Sequence, residues 1–189
     1  AQPRTEDAGG GVFPKIKPPF HAVPCGGRHA VRPGTDNDIT TTKKMAVRYF
    51  TDDCTYRLPQ KRLTARWLHE VAAGEGYALG DVTYIFCSAQ RLLEMNRQYL
   101  GHDYFTDVIT FDYSDRKDAR IVSGDIFIDV ETVADNARQY GATTLQEMRR
   151  VVVHGVLHLC GQGDKTPRTN AQMHRKEDKY LKFWEDPRQ

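Results

Sequence analysis

Residues 151–164 read V-V-V-H-G-V-L-H-L-C-G-Q-G-D, and this stretch constrains the chain more than any other. Its apolar residues have helical spacing, and His154 and His158 lie four positions apart within it. On a helix, four residues make one turn plus about 40°, so both imidazoles project from one face. Gly161 stands where a glycine commonly ends a helix, and Asp164 just beyond it can fold back toward the rings. Two imidazoles and a carboxylate make a three-ligand site with an open fourth position, the arrangement of catalytic zinc sites. On the helical wheel Leu145, Met148, Val152, Val156 and Leu159 form the core side, while His154, His158 and Glu147 fall nearly opposite.

The rest of the chain sets limits around this site. Its 189 residues suit one folded domain plus a tail, and 39% hydrophobic with 28% charged residues is ordinary for a globular protein. No apolar run approaches the roughly 20 residues that span a bilayer, and no signal-peptide pattern opens the sequence. The net charge of +2 comes from the first 44 residues, which hold seven basic and four acidic side chains and leave 20 against 21 in the remainder. Global charge therefore does not argue for a nucleic-acid partner; a local patch would be needed. Arg91, Arg97, Arg149, Arg150, Arg168, Arg175 and Lys176 are the residues that could build one. Cys25, Cys54, Cys87 and Cys160 form no C-x-x-C pair, and a chain this long does not need disulfides, so a reducing cytoplasm is expected.

Residues 1–44 hold Gly9-Gly10-Gly11, most of the prolines and a Thr40-Thr41-Thr42 run, with no period of 2 or 3.6. That composition is of the disordered type. Met45 reads as the natural start of a domain, so the expectation is a dispensable leader or upstream read-through over 1–44 and a folded domain over 45–189. Within it, strands are expected at 46–50, 82–87, 108–111 and 121–130, the last interrupted by Gly124-Asp125 with a bulge or a close backbone approach. Helices are expected at 59–73, from the Ser88 cap to about Tyr99, at 131–140, over the histidine segment behind a Thr144-x-x-Glu147 capping box, and from an Asn170 cap to about Trp184. A polar loop falls at 114–120. The order β-α-β-α-β-β-α-α-α predicts an α+β, or mixed α/β, fold: a small mixed sheet covered by helices, with the metal site on a central helix.

A metal at His154, His158 and Asp164 is suited to hydrolysis of amides or of phosphodiesters. The spacing H-x-x-x-H-x-x-G-x-x-D is that of metzincin proteases, which place a glutamate directly after the first histidine as general base. Here that position is Gly155, and the protease reading loses its proton-transfer agent. His154, Gly155, Val156, Leu157, His158, Leu159, Cys160 and Gly161 instead resemble the H-G-x-L-H-L-x-G motif of the YbeY family of bacterial rRNA-maturation endoribonucleases. Thr106 to Phe111 (T-D-V-I-T-F) resembles that family's T-D-V-L-S-F block, and Gly124 to Ile128 (G-D-I-F-I) its G-D-I strand. Asn96-x-x-Tyr99 lies where the family has N-x-x-Y, and the resemblance runs from about residue 45 to 184.

The resemblance implies a metal-dependent, single-strand-specific endoribonuclease acting on the 3′ end of small-subunit (16S) rRNA and in ribosome quality control. It implies one zinc ion on His154, His158 and position 164, with rRNA and the small ribosomal subunit as partners, no membrane, and a cytoplasmic setting. Two positions depart from the pattern. The third ligand is Asp164 rather than histidine, and Leu100 replaces an arginine after the N-x-x-Y tyrosine. His102 or Arg97 is expected to supply the phosphate contact instead. Asp125, Asp107 and Glu177 are carboxylates near the recognisable blocks. A fourth protein ligand from His174 or Cys160 would instead mark a structural metal in a non-catalytic ribosome-assembly factor.

Overall fold

A computed structural model describes residues 46–114 and 120–185. The expected leader and most of the expected polar loop at 114–120 lie outside those residues. The elements run β1 (Val47–Thr51), α1 (Lys61–Gly74), β2 (Ala78–Cys87), α2 (Ala89–Met95), a π turn (Asn96–Leu100), β3 (Val108–Asp112), β4 (Ile121–Asp129), α3 (Val130–Gln139), α4 (Thr144–Leu159), α5 (Pro167–Leu181) and a 3-10 turn (Lys182–Glu185). The order is the one read from the sequence. The four strands form one mixed sheet ordered β1-β2-β4-β3, with β1 and β4 parallel to β2 and β3 antiparallel to β4.

Period-two alternation gives this sheet two apolar faces. Val82, Tyr84, Phe86, Ile126 and Ile128 join Trp67, Leu68 and Val71 of α1, Val133 of α3, Met173 of α5 and the apolar residues of α4 in the main core. Ile85, Cys87, Ile109, Phe111 and Phe127 face the other way and are covered by Leu92 and Met95 of α2. Leu100, at the position where the resemblance expects arginine, packs against this second cluster. Its side chain serves packing there.

Helix α4 is the centre of the domain. It touches α1, α3, α5, β3 and β4. Met148, Val151, Val152, Val153, Val156, Leu157 and Leu159 are all buried, each a contribution of about 1.5–3 kcal/mol as an upper estimate. The one-sided wheel is therefore corrected: α4 is enclosed nearly all round, and Glu147 is buried beside Arg150, 3.9 Å away, rather than on an open polar face. The capping box also sits one residue earlier than expected. Gln146 N–H donates to Thr143 Oγ1 at 3.2 Å, and Thr143 N–H donates to Gln146 Oε1 at 2.9 Å. Likewise α5 starts at a Thr166 cap followed by Pro167, a turn ahead of Asn170; proline at the first helical position loses no intrahelical bond.

Two glycines set how closely layers approach. A Cβ on Gly155 would lie 2.7 Å from Ile126 Cγ2, so α4 rests on β4 through a bare backbone. A Cβ on Gly124 would lie 2.3 Å from the Phe111 carbonyl oxygen, so the glycine inside β4 marks close backbone approach. The register irregularity lies elsewhere, between Leu79 and Val82 of β2.

Helix α5 is tied to the end of α1 by Glu75. Lys176 Nζ donates to its Oε2 at 2.5 Å and the Tyr180 hydroxyl to its Oε1 at 2.8 Å. Burial works to raise this carboxyl, but those two hydrogen bonds and the charges of Lys176 and Lys179 outweigh it and hold it below its usual range. A depressed carboxylate stabilises fully above the unfolded value of about 4.3, and the gain is lost as pH falls through the folded value. Glu75→Gln should therefore cost about 1 kcal/mol at pH 7 by urea unfolding, with the gap to wild type closing below about pH 4. A pH-independent gap would assign the loss to packing. Gly155→Ala should destabilise by roughly 1–3 kcal/mol, despite alanine's better helix propensity. An unchanged urea midpoint would mean that Ile126 gives way.

Candidate metal centre

The last two turns of α4 carry His154 and His158, with side chains 20% and 11% exposed. Gly161 follows with φ +88°, a conformation that favours glycine, and reverses the chain. The N–H of Gly161 donates to His158 O at 2.8 Å and that of Gln162 to Leu157 O at 2.9 Å. Two residues later Asp164 returns to the rings: its Oδ2 is 3.6 Å from His154 Nε2 and 3.5 Å from His158 Nε2. The two Nε2 atoms are 2.8 Å apart. Three donors around a tetrahedral zinc at about 2.0–2.1 Å would be roughly 3.3 Å apart, and the observed edges straddle that value.

The ring orientations are set from behind. His154 Nδ1 is 2.7 Å from Glu177 Oε1, and His158 Nδ1 is 2.8 Å from the Gln162 carbonyl oxygen. The carboxylate and the carbonyl can only accept, so each Nδ1 carries the donated N–H, and in the neutral rings each Nε2 keeps a lone pair on the side of Asp164. Two lone pairs and a carboxylate oxygen at these separations repel one another unless a cation or a shared proton lies between them. The donor set thus fits a metal ion, and the carboxylate and carbonyl behind the rings are the usual outer partners of metal-binding histidines.

Glu177, on α5, anchors the cluster. Besides His154, it receives Arg150 Nη1 at 3.0 Å and faces His174 Nδ1 at 3.1 Å. Burial favours its neutral form, but the hydrogen bond and charge of His154, with the bonds from His174 and Arg150, hold its carboxyl down to about 2. Conversely, burial disfavours charge on His154, and the hydrogen bond and charge of Glu177 outweigh it, so the imidazole sits above its usual value; Asp107 and Asp164 add to this. Burial pushes Asp164 up, and its hydrogen bond and charge interactions with the two histidines bring it below its ordinary value.

Among the described residues, His154, His158 and Asp164 are the group that could hold a metal, and the sequence reading had singled out all three. His174 is turned to Glu177, and Cys160 caps α4 with 8% exposure. Neither joins the three donors. Of the carboxylates considered, Glu177 touches the site, Asp107 acts on it through its charge, and Asp125 accepts from the Tyr113 hydroxyl at 3.3 Å. His102 and Arg97 find partners within their own segment. The His102 ring stacks on Tyr104 with centroids 5.2 Å apart, and Arg97 Nε pairs with Asp103 at 2.5 Å. Three of the arginines expected to form a basic patch are also engaged: Arg91 with Asp52, Arg149 over the Trp184 ring, and Arg150 with Glu177 and Asp178. The sequence reading missed the bond through which Glu177 orients His154. Its only sequence signal is a carboxylate on the inner face of the following helix.

The chain is similar to known proteins in sequence and in fold. The family model described as Endoribonuclease YbeY matches residues 50–185. The Endoribonuclease YbeY of Bacteroides thetaiotaomicron is 48% identical over 139 residues, covering 72% of this chain and 98% of that protein. The one of Cytophaga hutchinsonii is 43% identical, covering 74% and 96%. The solution structure of TM1509 from Thermotoga maritima superposes with a TM-score of 0.50 at 27% identity, covering 75% of this chain and 94% of that one. With a family model over most of the chain and relatives at 43–48% identity, the chain belongs to the YbeY endoribonuclease family.

Proposed function

We propose that this protein is a metal-dependent endoribonuclease that cuts single-stranded RNA, with the 3′ region of small-subunit rRNA as substrate and the ribosome's small subunit as partner. The observation that carries the reading is the convergence of His154 Nε2, His158 Nε2 and Asp164 Oδ2 at the end of α4, in a chain whose relatives are named endoribonucleases. The proposed ligands are those three residues, and the proposed ion is zinc, which carboxylate and imidazole donors both suit. When bound, zinc supplies Lewis-acid charge beside the scissile phosphate and makes hydroxide available near neutral pH. The chain's own part is orientation. Glu177 and the Gln162 carbonyl hold the rings, while Arg150 and His174 hold Glu177. His102 and Arg97 are the proposed phosphate contacts; Arg97 would exchange Asp103 for a phosphate oxygen. The proposed setting is the cytoplasm; no helix among the described residues is long and apolar enough to cross a membrane.

Specific observations weigh against the alternatives. A structural metal takes four protein ligands, and His174 and Cys160 point to other duties. The metzincin base cannot be rebuilt at Gly155, where even a Cβ would overlap Ile126.

The full chain should cleave a single-stranded fragment of the small-subunit rRNA 3′ region. His158→Ala and a chelated sample should both lose that cleavage, and added zinc should restore only the latter. Cleavage that survives in His158→Ala would overturn the assignment. Glu177→Ala should weaken metal affinity by roughly 10–100-fold in chelator competition, and an unchanged affinity would remove Glu177 from the positioning role.

A further inference from the structure

Residues 96–105 lead from the second core cluster toward β3, which packs against α4, and their backbone is pinned at several points. Asn96, buried in the π turn, donates from Nδ2 to the Tyr104 carbonyl oxygen at 2.8 Å. His102 N–H donates to the Asn96 carbonyl at 3.2 Å, and Arg97 Nε bridges to Asp103 at 2.5 Å. The His102 and Tyr104 rings lie nearly parallel, with an interplanar angle of 20° and the Tyr104 hydroxyl 3.2 Å from His102 Nδ1. The segment is thus a braced loop. At its end it presents Phe105 with 61% of its surface open, the most exposed of the large hydrophobic residues described.

A single exposed apolar side chain ordinarily needs no explanation. Here three observations coincide. The ring stands on a backbone already ordered by the side chain of Asn96, so a ligand stacking on it meets little ordering cost in that backbone. It is the third aromatic ring within four residues, after His102 and Tyr104. It also stands three residues before β3, the strand that packs against α4. Asp107, two residues on and therefore at most about 7 Å along the chain, acts on His154 through its charge, and Val108 packs into the core that holds α4. Single-stranded RNA is gripped by flat side chains on which unstacked bases rest, because every base offers a π face.

We propose that Phe105, backed by the His102–Tyr104 stack, is a stacking platform for a nucleobase adjoining the scissile phosphate. The proposal rests on the endoribonuclease reading and adds how the strand is held: by an unpaired base on a ring, independent of base identity. A duplex, whose bases are already stacked, would gain nothing from it, so the platform also supplies a preference for single strands.

The test compares the full-length wild type, Phe105→Ala and Phe105→Tyr in steady-state cleavage of a single-stranded RNA oligonucleotide. Each is checked for an unchanged circular dichroism spectrum and melting temperature. Phe105→Ala should raise KM about tenfold with kcat within about twofold, the loss of one base–aromatic stack, and Phe105→Tyr should restore wild-type KM. In parallel, Phe105→Trp stripped of metal with a chelator should show indole quenching on titration with the same oligonucleotide, beyond that of the wild type's Trp67 and Trp184. Wild-type cleavage with an unaltered KM in Phe105→Ala would overturn the platform and leave the ribonuclease reading standing. If the wild type does not cleave, that reading falls, and the quenching decides alone: its presence sustains a single-strand platform, and its absence overturns that too.

Discussion

The seat of α4 on the sheet is the constraint on which the rest of the molecule depends. Gly155 meets Ile126 with no room for a Cβ, so helix and strand approach as closely as backbone allows. Three other helices then pack around α4, and its middle is enclosed. Its histidines occupy the last two turns, where the chain emerges and Gly161 turns it back. A site built on a helix this tightly held is pre-organised, which suits a metal that tolerates little error in donor placement. The same packing decides chemistry by exclusion: the place from which a protease of similar spacing works is filled by β4.

Helix α5 completes the arrangement through charge. Glu177 is almost fully buried and is shared among His154, His174 and Arg150. Such a carboxylate is costly unless its neighbours match its charge. Once matched, it is a stiff acceptor that fixes the tautomer of His154. The Glu75 bridge to Lys176 and Tyr180 holds α5 against the end of α1. Fold stability and site geometry therefore share one helix, α5, which is tied to α1 through Glu75 and to α4 through Glu177, and a loosened α5 would be felt first as a misdirected imidazole.

The departures from the family pattern fall at positions with different physical roles. Asp164 still brings an oxygen to the common point of the two rings, so the donor set survives the exchange with its charge altered. Leu100 is different, because the position has been given over to the apolar cluster beneath the π turn. The polar and aromatic groups proposed to handle a strand lie just after it, on the braced segment from His102 to Phe105.

The sequence by itself determined the element order and the His154–His158–Asp164 cluster, because these rest on local rules. Spacing of four puts two rings on one helical face, and a glycine at positive φ brings back a residue a few positions later. It could not choose between Thr143-x-x-Gln146 and Thr144-x-x-Glu147, since both fit a capping box; the frame was decided by burial of Glu147 beside Arg150. Nor could a wheel drawn on one helix reveal that α4 is wrapped on all sides, because its neighbours come from distant parts of the chain. Glu177 stands 23 residues from His154, and only the docking of α5 brings the two to 2.7 Å. Local periodicity carries information over a turn or two of helix. Contacts across helices and sheet are settled by which buried surfaces fit together, and that only the tertiary structure decided.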